Sequence, residues 1–187
     1  MSALDQATIR SALAATGRHL RLDRDVEILL VGGAAGVLTG LLPAAWTTAD
    51  VDTIHCHLAR DRDAVLDAAA DAGRELALPP AWLNDWSGLY VWTLPPGWQS
   101  RRVLVGTFGR LHVFAVGRQD LIALKFIAHR ERDLEHLRLL IVTPAERDAV
   151  RTYLDQLARD NPAARHPDRA GRIELARAYV DAWEAPQ

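Results

Sequence analysis

The chain has 187 residues, 49% of them apolar and 25% charged, with a net charge of −2; this is the make-up of one globular domain with a real core and room for a small helical appendage. No stretch of about 18 residues is apolar without a charge, which argues against a membrane-spanning helix and a membrane partner. The near-neutral charge argues against bulk DNA binding through a basic surface, and the single cysteine, Cys56, excludes an internal disulfide and disfavours a Cys-based zinc site. The opening MSALDQATIR lacks the apolar core of a secretory signal, so the cytoplasm is the expected compartment. Of the 22 basic residues only one, Lys125, is a lysine, which makes its position worth following.

Helical spacing of Leu4, Ile9, Leu13 and Leu20 predicts a first helix over 4–19, with Gly17 as a stop signal. VEILLV, residues 26–31, is a short apolar run that ends in Gly32-Gly33, the pattern of a buried strand. AAGVLTGLL then predicts a short helix closed near Pro43, VDTIHCHL (51–58) a second strand, and the Ala-rich 61–77 a helix. Prolines and four of the six tryptophans mark 79–100 as a loop with one short strand, LYVWTL. Residues 102–106 and 111–116 read as two strands turning at Gly109. From Gln119 the pattern is helical: one helix around Leu121–Ala128, a second from near Arg132, a third over 144–159 opened by the capping box Thr143-Pro144-Ala145-Glu146, and a last near 168–183. The expected fold is α/β (α+β), a small mixed sheet flanked by helices over residues 1–118 with a helical C-terminal part over 119–187 packed on it.

Chemistry concentrates in residues 29–56, LLVGGAAGVLTGLLPAAWTTADVDTIHC. Glycine lacks a Cβ, so backbone amides at Gly32 and Gly33 can approach a phosphate, and the start of a helix favours an anion. Asp50 and Asp52 open the second strand. Residues i and i+2 of a strand share one face, with Cα atoms about 7 Å apart, and two carboxylates side by side call for a cation between them. Mg²⁺ suits them, because it takes oxygen ligands and bridges substrate phosphates. Each feature alone is commonplace; a strand, two glycines, a helix and an Asp-x-Asp opening the next strand is a far more specific combination.

That combination resembles the nucleotidyltransferase superfamily signature. LVGGAAGVL, TTADVD, LPPAWLND and DLIALKFIAHRERDLEHL further resemble an uncharacterised bacterial nucleotidyltransferase-like family related to the minimal nucleotidyltransferase antitoxins and AbiEii-type toxins, over roughly residues 26–142. The resemblance implies a nucleotidyltransferase-type core that binds a nucleoside triphosphate, ATP or GTP, with Mg²⁺. It implies transfer of a nucleotidyl group to a hydroxyl of a protein partner or an RNA, in a toxin–antitoxin system. It assigns Asp50 and Asp52 to catalysis and to the metal, and Gly32, Gly33, Thr48 (or Thr47), Lys125 and Arg132 to the nucleotide, with Arg130 and Asp133 in the same motif. Lys125→Arg is then expected to be nearly silent for folding and to weaken triphosphate binding.

Active members of the superfamily carry a third carboxylate on a later strand. Here RRVLVG and LHVFAV contain none, and the nearest acids are Asp85 in a loop and Asp120, read as a helix N-cap. Trp46 stands where relatives tend to place an arginine, and the Gly33–Asp50 gap is a few residues longer than the usual pattern of the family. A catalytically inactive binding module on the same fold, antitoxin-like, is therefore the alternative reading. His55 and His57 have the opposite strand phase to the Asp pair. His129 and His136 read as solvated, and His112 as a minor candidate for the site. The tryptophans 82, 86, 92 and 98 read first as packing and second as surfaces for a base.

Overall fold

The computed structural model describes residues 3–54 and 59–183; the strand expected to run to residue 58, with His55, Cys56 and His57, is described only to Ile54. The chain is a mixed α/β protein that divides into two compact units, Met1–Leu89 with Arg101–Val116, and Tyr90–Ser100 with Gly117–Gln187. Among the described residues no helix is long and apolar enough to cross a membrane.

The first unit holds α1 (Gln6–His19), β1 (Val26–Leu30), α2 (Gly32–Leu38), β2 (Val51–Ile54), α3 (Ala59–Glu75), β3 (Leu83–Asn84), β4 (Val103–Phe108) and β5 (Leu111–Ala115). The strands form a mixed five-stranded sheet in the order β3-β2-β1-β5-β4. β1 is central, parallel to β5 and antiparallel to β2. Ile28, Leu29 and Leu30 are all buried, so both faces of β1 are covered, and this is why its sequence is a run of apolar residues rather than an alternation. Ile9 and Leu13 of α1 and Val65 of α3 complete the core.

Gly17 does not stop α1, which runs on to His19. A Cβ on Gly17 would lie 2.2 Å from the Phe108 carbonyl oxygen, so this glycine lets the helix backbone lie directly on the end of β4. Glycine satisfies a helix end and a close approach by the same lack of a side chain, and the sequence does not separate the two.

The LYVWTL segment is not a strand. Trp86–Thr93 form a 3-10 helix, held by Gly88 N–H on the Asp85 carbonyl (2.8 Å) and Leu94 N–H on Val91 (3.1 Å). Its β-branched and aromatic composition suits a strand, but local i to i+3 bonds take its backbone groups instead. The strand of this region is the two-residue β3, which pairs in parallel with β2, Val51 with Leu83 and Asp52 with Asn84.

The second unit contains α5 (Arg118–Ala128), α6 (Glu131–Leu139), α7 (Pro144–Asp160) and α8 (Pro167–Ala182); the short α4 (Trp98–Arg101) precedes β4. The capping box forms as expected: Glu146 N–H donates to Thr143 Oγ1 (3.2 Å) and Thr143 N–H to Glu146 Oε2 (2.9 Å). Leu121, Ile122, Phe126 and Ile127 of α5 are buried with Leu154 of α7 and Ile173 and Val180 of α8, and the Phe126 ring meets Trp183 edge to face at 5.5 Å. Residues 90–100 belong to this unit because its helices hold them. Tyr153 Oη donates to the Thr93 carbonyl (2.5 Å), and Asn161 Nδ2 to that of Trp92 (2.9 Å).

Candidate functional site

The end of β1 and the beginning of β2 lie side by side. Beyond the Leu30–Thr53 pair, Val31 N–H donates to the Asp52 carbonyl at 3.0 Å, which carries the ladder one step further. The chain then turns into α2 at Gly32, whose φ is +67°, a conformation that suits glycine alone without strain. A Cβ there would lie 2.9 Å from Asp52 Oδ2. The Asp52 carboxylate is thus seated against the bare Cα of Gly32. Glycine is required for its backbone angle, the missing Cβ leaves the Asp52 carboxylate room to sit there, and the acid and the first glycine of the motif form one contact. Gly33 follows in the first turn of α2, a helix of seven residues.

Asp50, two residues earlier and just before β2, is tied from two sides. Thr48 Oγ1 donates to the Asp50 carbonyl (3.0 Å), and Thr48 is itself fixed by a two-way backbone bridge to Leu4 (2.7 and 3.0 Å). The buried Thr48 hydroxyl therefore braces the approach to β2. Asn84 Nδ2 donates to Asp50 Oδ2 at 3.3 Å. Asn84 is 3% exposed and stands opposite Asp52 in the β2–β3 register. Its Oδ1 accepts the Trp86 N–H (3.1 Å). Asn84 is the residue that sequence reasoning missed. It lies in the LPPAWLND stretch, but only the register of β3 shows that it adjoins the acid pair.

The carboxylates of Asp50 and Asp52, two residues apart at the start of β2, are hard oxygen donors of the kind Mg²⁺ takes, with water and phosphate oxygens filling its other positions; the chemistry of these donors fits that ion. Among the described residues there is no group of three or more His, Cys, Asp and Glu side chains placed to hold a metal. The other acids expected nearby are engaged or placed otherwise. Asp85 sits in the guanidinium fork of Arg62. Asp120 is not a cap: it is fully buried in the first turn of α5, whose N-cap is Gly117. His112 pairs in register with Glu27, near the start of β1 and away from its glycine end.

Lys125 and Arg132 belong to the second unit. Arg132 is exposed on α6. Lys125 is 2% exposed, and its ammonium donates to Asp133 Oδ1 (3.2 Å) and His136 Nδ1 (2.5 Å). Arg130 Nε donates to the other oxygen of Asp133 (2.8 Å). His136, read from sequence as solvated, is 2% exposed, because it lies on the inner face of α6 with Asp133 and Leu137. Its former companion His129 stacks on Tyr179 at 5.2 Å.

Burial, then the Lys125 charge, push the His136 imidazole down to about 4. Burial also drives Lys125 down, against the pull of Asp133. For Asp133, burial pushes up, but Lys125 and Arg130 outweigh it and the net shift is downward.

A pH dependence follows. The unfolded chain protonates a histidine near pH 6.5, whereas the folded chain leaves His136 neutral down to about 4, so stability is lost as pH falls between these values. The full contribution is on the order of 3 kcal/mol. Urea midpoints between pH 7 and pH 5 are expected to fall more steeply in the wild type than in His136→Asn, which keeps an acceptor for Lys125 but no titrating ring. Equal slopes would contradict the assignment.

A small mixed sheet flanked by helices, with Gly-Gly after its central strand and an acid pair at the start of the neighbour, is compatible with a nucleotidyltransferase-type core. Residues 11–160 match the family described as nucleotidyltransferase of unknown function (DUF6036), and the chain belongs to that family. No curated protein and no solved structure matches it.

Proposed function

We propose that the first unit binds a Mg²⁺–nucleoside triphosphate, ATP or GTP, with Asp50 and Asp52 as the metal ligands, and transfers a nucleotidyl group to a hydroxyl of a protein or an RNA. The observation that carries this reading is the Asp52 carboxylate seated on Gly32 beside Asp50. It makes the glycine turn and the acid pair a single site, as expected of a place where phosphates and a divalent cation meet. Gly32 and Gly33 offer backbone N–H groups without side chains in the way, and Thr48 holds Asp50 in line. Bound Mg²⁺ would supply charge neutralisation at the phosphates. In the transfer, the acceptor oxygen bonds to the α-phosphorus and pyrophosphate leaves. The reading sets the protein in the cytoplasm, where Mg²⁺ and nucleoside triphosphates are plentiful, and takes as acceptor a partner in a toxin–antitoxin pair.

One observation favours a second reading, a binding module without transfer. The amide of Asn84, opposite Asp52 in register, donates to Asp50, and β4 and β5 bring no carboxylate. Incubation with α-labelled ATP or GTP, Mg²⁺ and fractionated cellular protein and RNA separates the two. Label transfer that Asp50→Asn removes supports the enzyme. Nucleotide binding without any transfer supports the module.

A further inference from the structure

We propose that Trp86 is the base-stacking surface of the nucleotide site. The inference rests on the reading of Asp50 and Asp52 as the seat of a Mg²⁺–nucleoside triphosphate and adds what the acid pair does not supply, a grip on the nucleoside. Of the six tryptophans Trp86 alone is exposed, at 67%. The others are tucked in or covered. Trp82 is buried, with its indole N–H on the Ala69 carbonyl (2.8 Å); Trp92 lies under the Arg169 guanidinium; Trp183 packs on Phe126. At 67% exposure the Trp86 side chain leaves much of its ring open to a ligand.

Its attachment is what ties it to the site. A single amide, that of Asn84, donates to the Asp50 carboxylate through Nδ2 and accepts the Trp86 backbone N–H through Oδ1. Trp86 is thus two residues along the chain from the partner of Asp52 and one side chain removed from Asp50. The backbone beside it is also held from the other side. The Asp85 carboxylate is held in the fork of Arg62, with Nη2 to Oδ1 at 3.0 Å, and the Asp85 carbonyl accepts the Gly88 N–H at 2.8 Å. These hydrogen bonds hold the backbone that carries the indole, which lowers the ordering that stacking requires. Stacking on a flat aromatic face tolerates any base. The site so built holds the nucleotide at two ends, phosphates at the acids and base on the indole.

The test uses the whole chain and two probes, Mg²⁺–ATP and Mg²⁺–tripolyphosphate, titrated by calorimetry into wild type, Trp86→Ala, Trp86→Phe and the double variant Asp50→Asn/Asp52→Asn. Trp86→Ala is expected to weaken ATP about tenfold and leave tripolyphosphate unchanged, with Trp86→Phe close to wild type. Wild-type ATP affinity in Trp86→Ala overturns the inference, as does an equal loss for both probes. If the double carboxylate variant keeps its ATP affinity, or wild type binds neither ATP nor GTP, the reading of the acid pair fails and the inference falls with it; if that variant loses ATP while Trp86→Ala does not, the stacking role alone fails.

Discussion

Lys125→Ala is expected to lower the stability of the protein by about 3 kcal/mol or more. The substitution removes the ammonium that both Asp133 and His136 share and leaves a carboxylate at 3% exposure beside the Arg130 guanidinium, which is itself largely in solvent. Breaking one member of a buried ionic set costs more than the set contributes, because the remaining charge keeps its desolvation penalty. Arg130→Ala removes an exposed partner and is expected to cost under about 1 kcal/mol. Urea unfolding followed by tryptophan fluorescence measures both. A Lys125→Ala midpoint indistinguishable from wild type would contradict the assignment. The same burial changes the expectation for Lys125→Arg: a forked guanidinium does not fit where a compact ammonium is enclosed, so this substitution too perturbs folding rather than passing silently.

Gly17→Ala is expected to destabilise by about 3 kcal/mol, at the upper end of overpacking costs. Its Cβ would meet the Phe108 carbonyl oxygen at 2.2 Å and the Phe108 Cβ at 2.7 Å, and backbone cannot swing aside as a long side chain does, so α1 or the end of β4 must shift. Gly171→Ala is the control. It lies in α8 with nothing within 4 Å of the new Cβ, and there the same change is expected to stabilise by about 0.5–1 kcal/mol through helix propensity and a less flexible unfolded chain. Opposite signs in thermal midpoints are the predicted outcome; a mild effect at Gly17 would contradict the close helix–strand contact.

The sequence carries a good part of this architecture in patterns that are local. VEILLV is legible as a strand because its apolar run ends in glycines, and the Thr143 capping box because its four residues answer one another. The acid pair is legible because a strand has a period of two. β3 escapes, since two residues between prolines show no period, and with it escapes Asn84, whose place beside the acids is a matter of register. Lys125 is an intermediate case. It falls four residues after Leu121 and three after Ile122, on the apolar stripe of α5, and Asp133 and His136 share a face of α6 with Leu137. That spacing points to a buried charge with partners, a signal that the rarity of lysine in this chain obscures.

The central claim is that Asp50 and Asp52, with Gly32, form a site for a metal–nucleotide complex. Calorimetric titration of ATP and GTP into the wild-type chain, with Mg²⁺ and with chelator, against Asp50→Ala/Asp52→Ala tests it most directly. Binding of at least one nucleotide that requires Mg²⁺ and is lost in the double variant is the predicted result; affinity unchanged by the two substitutions, or by removal of the metal, would contradict it.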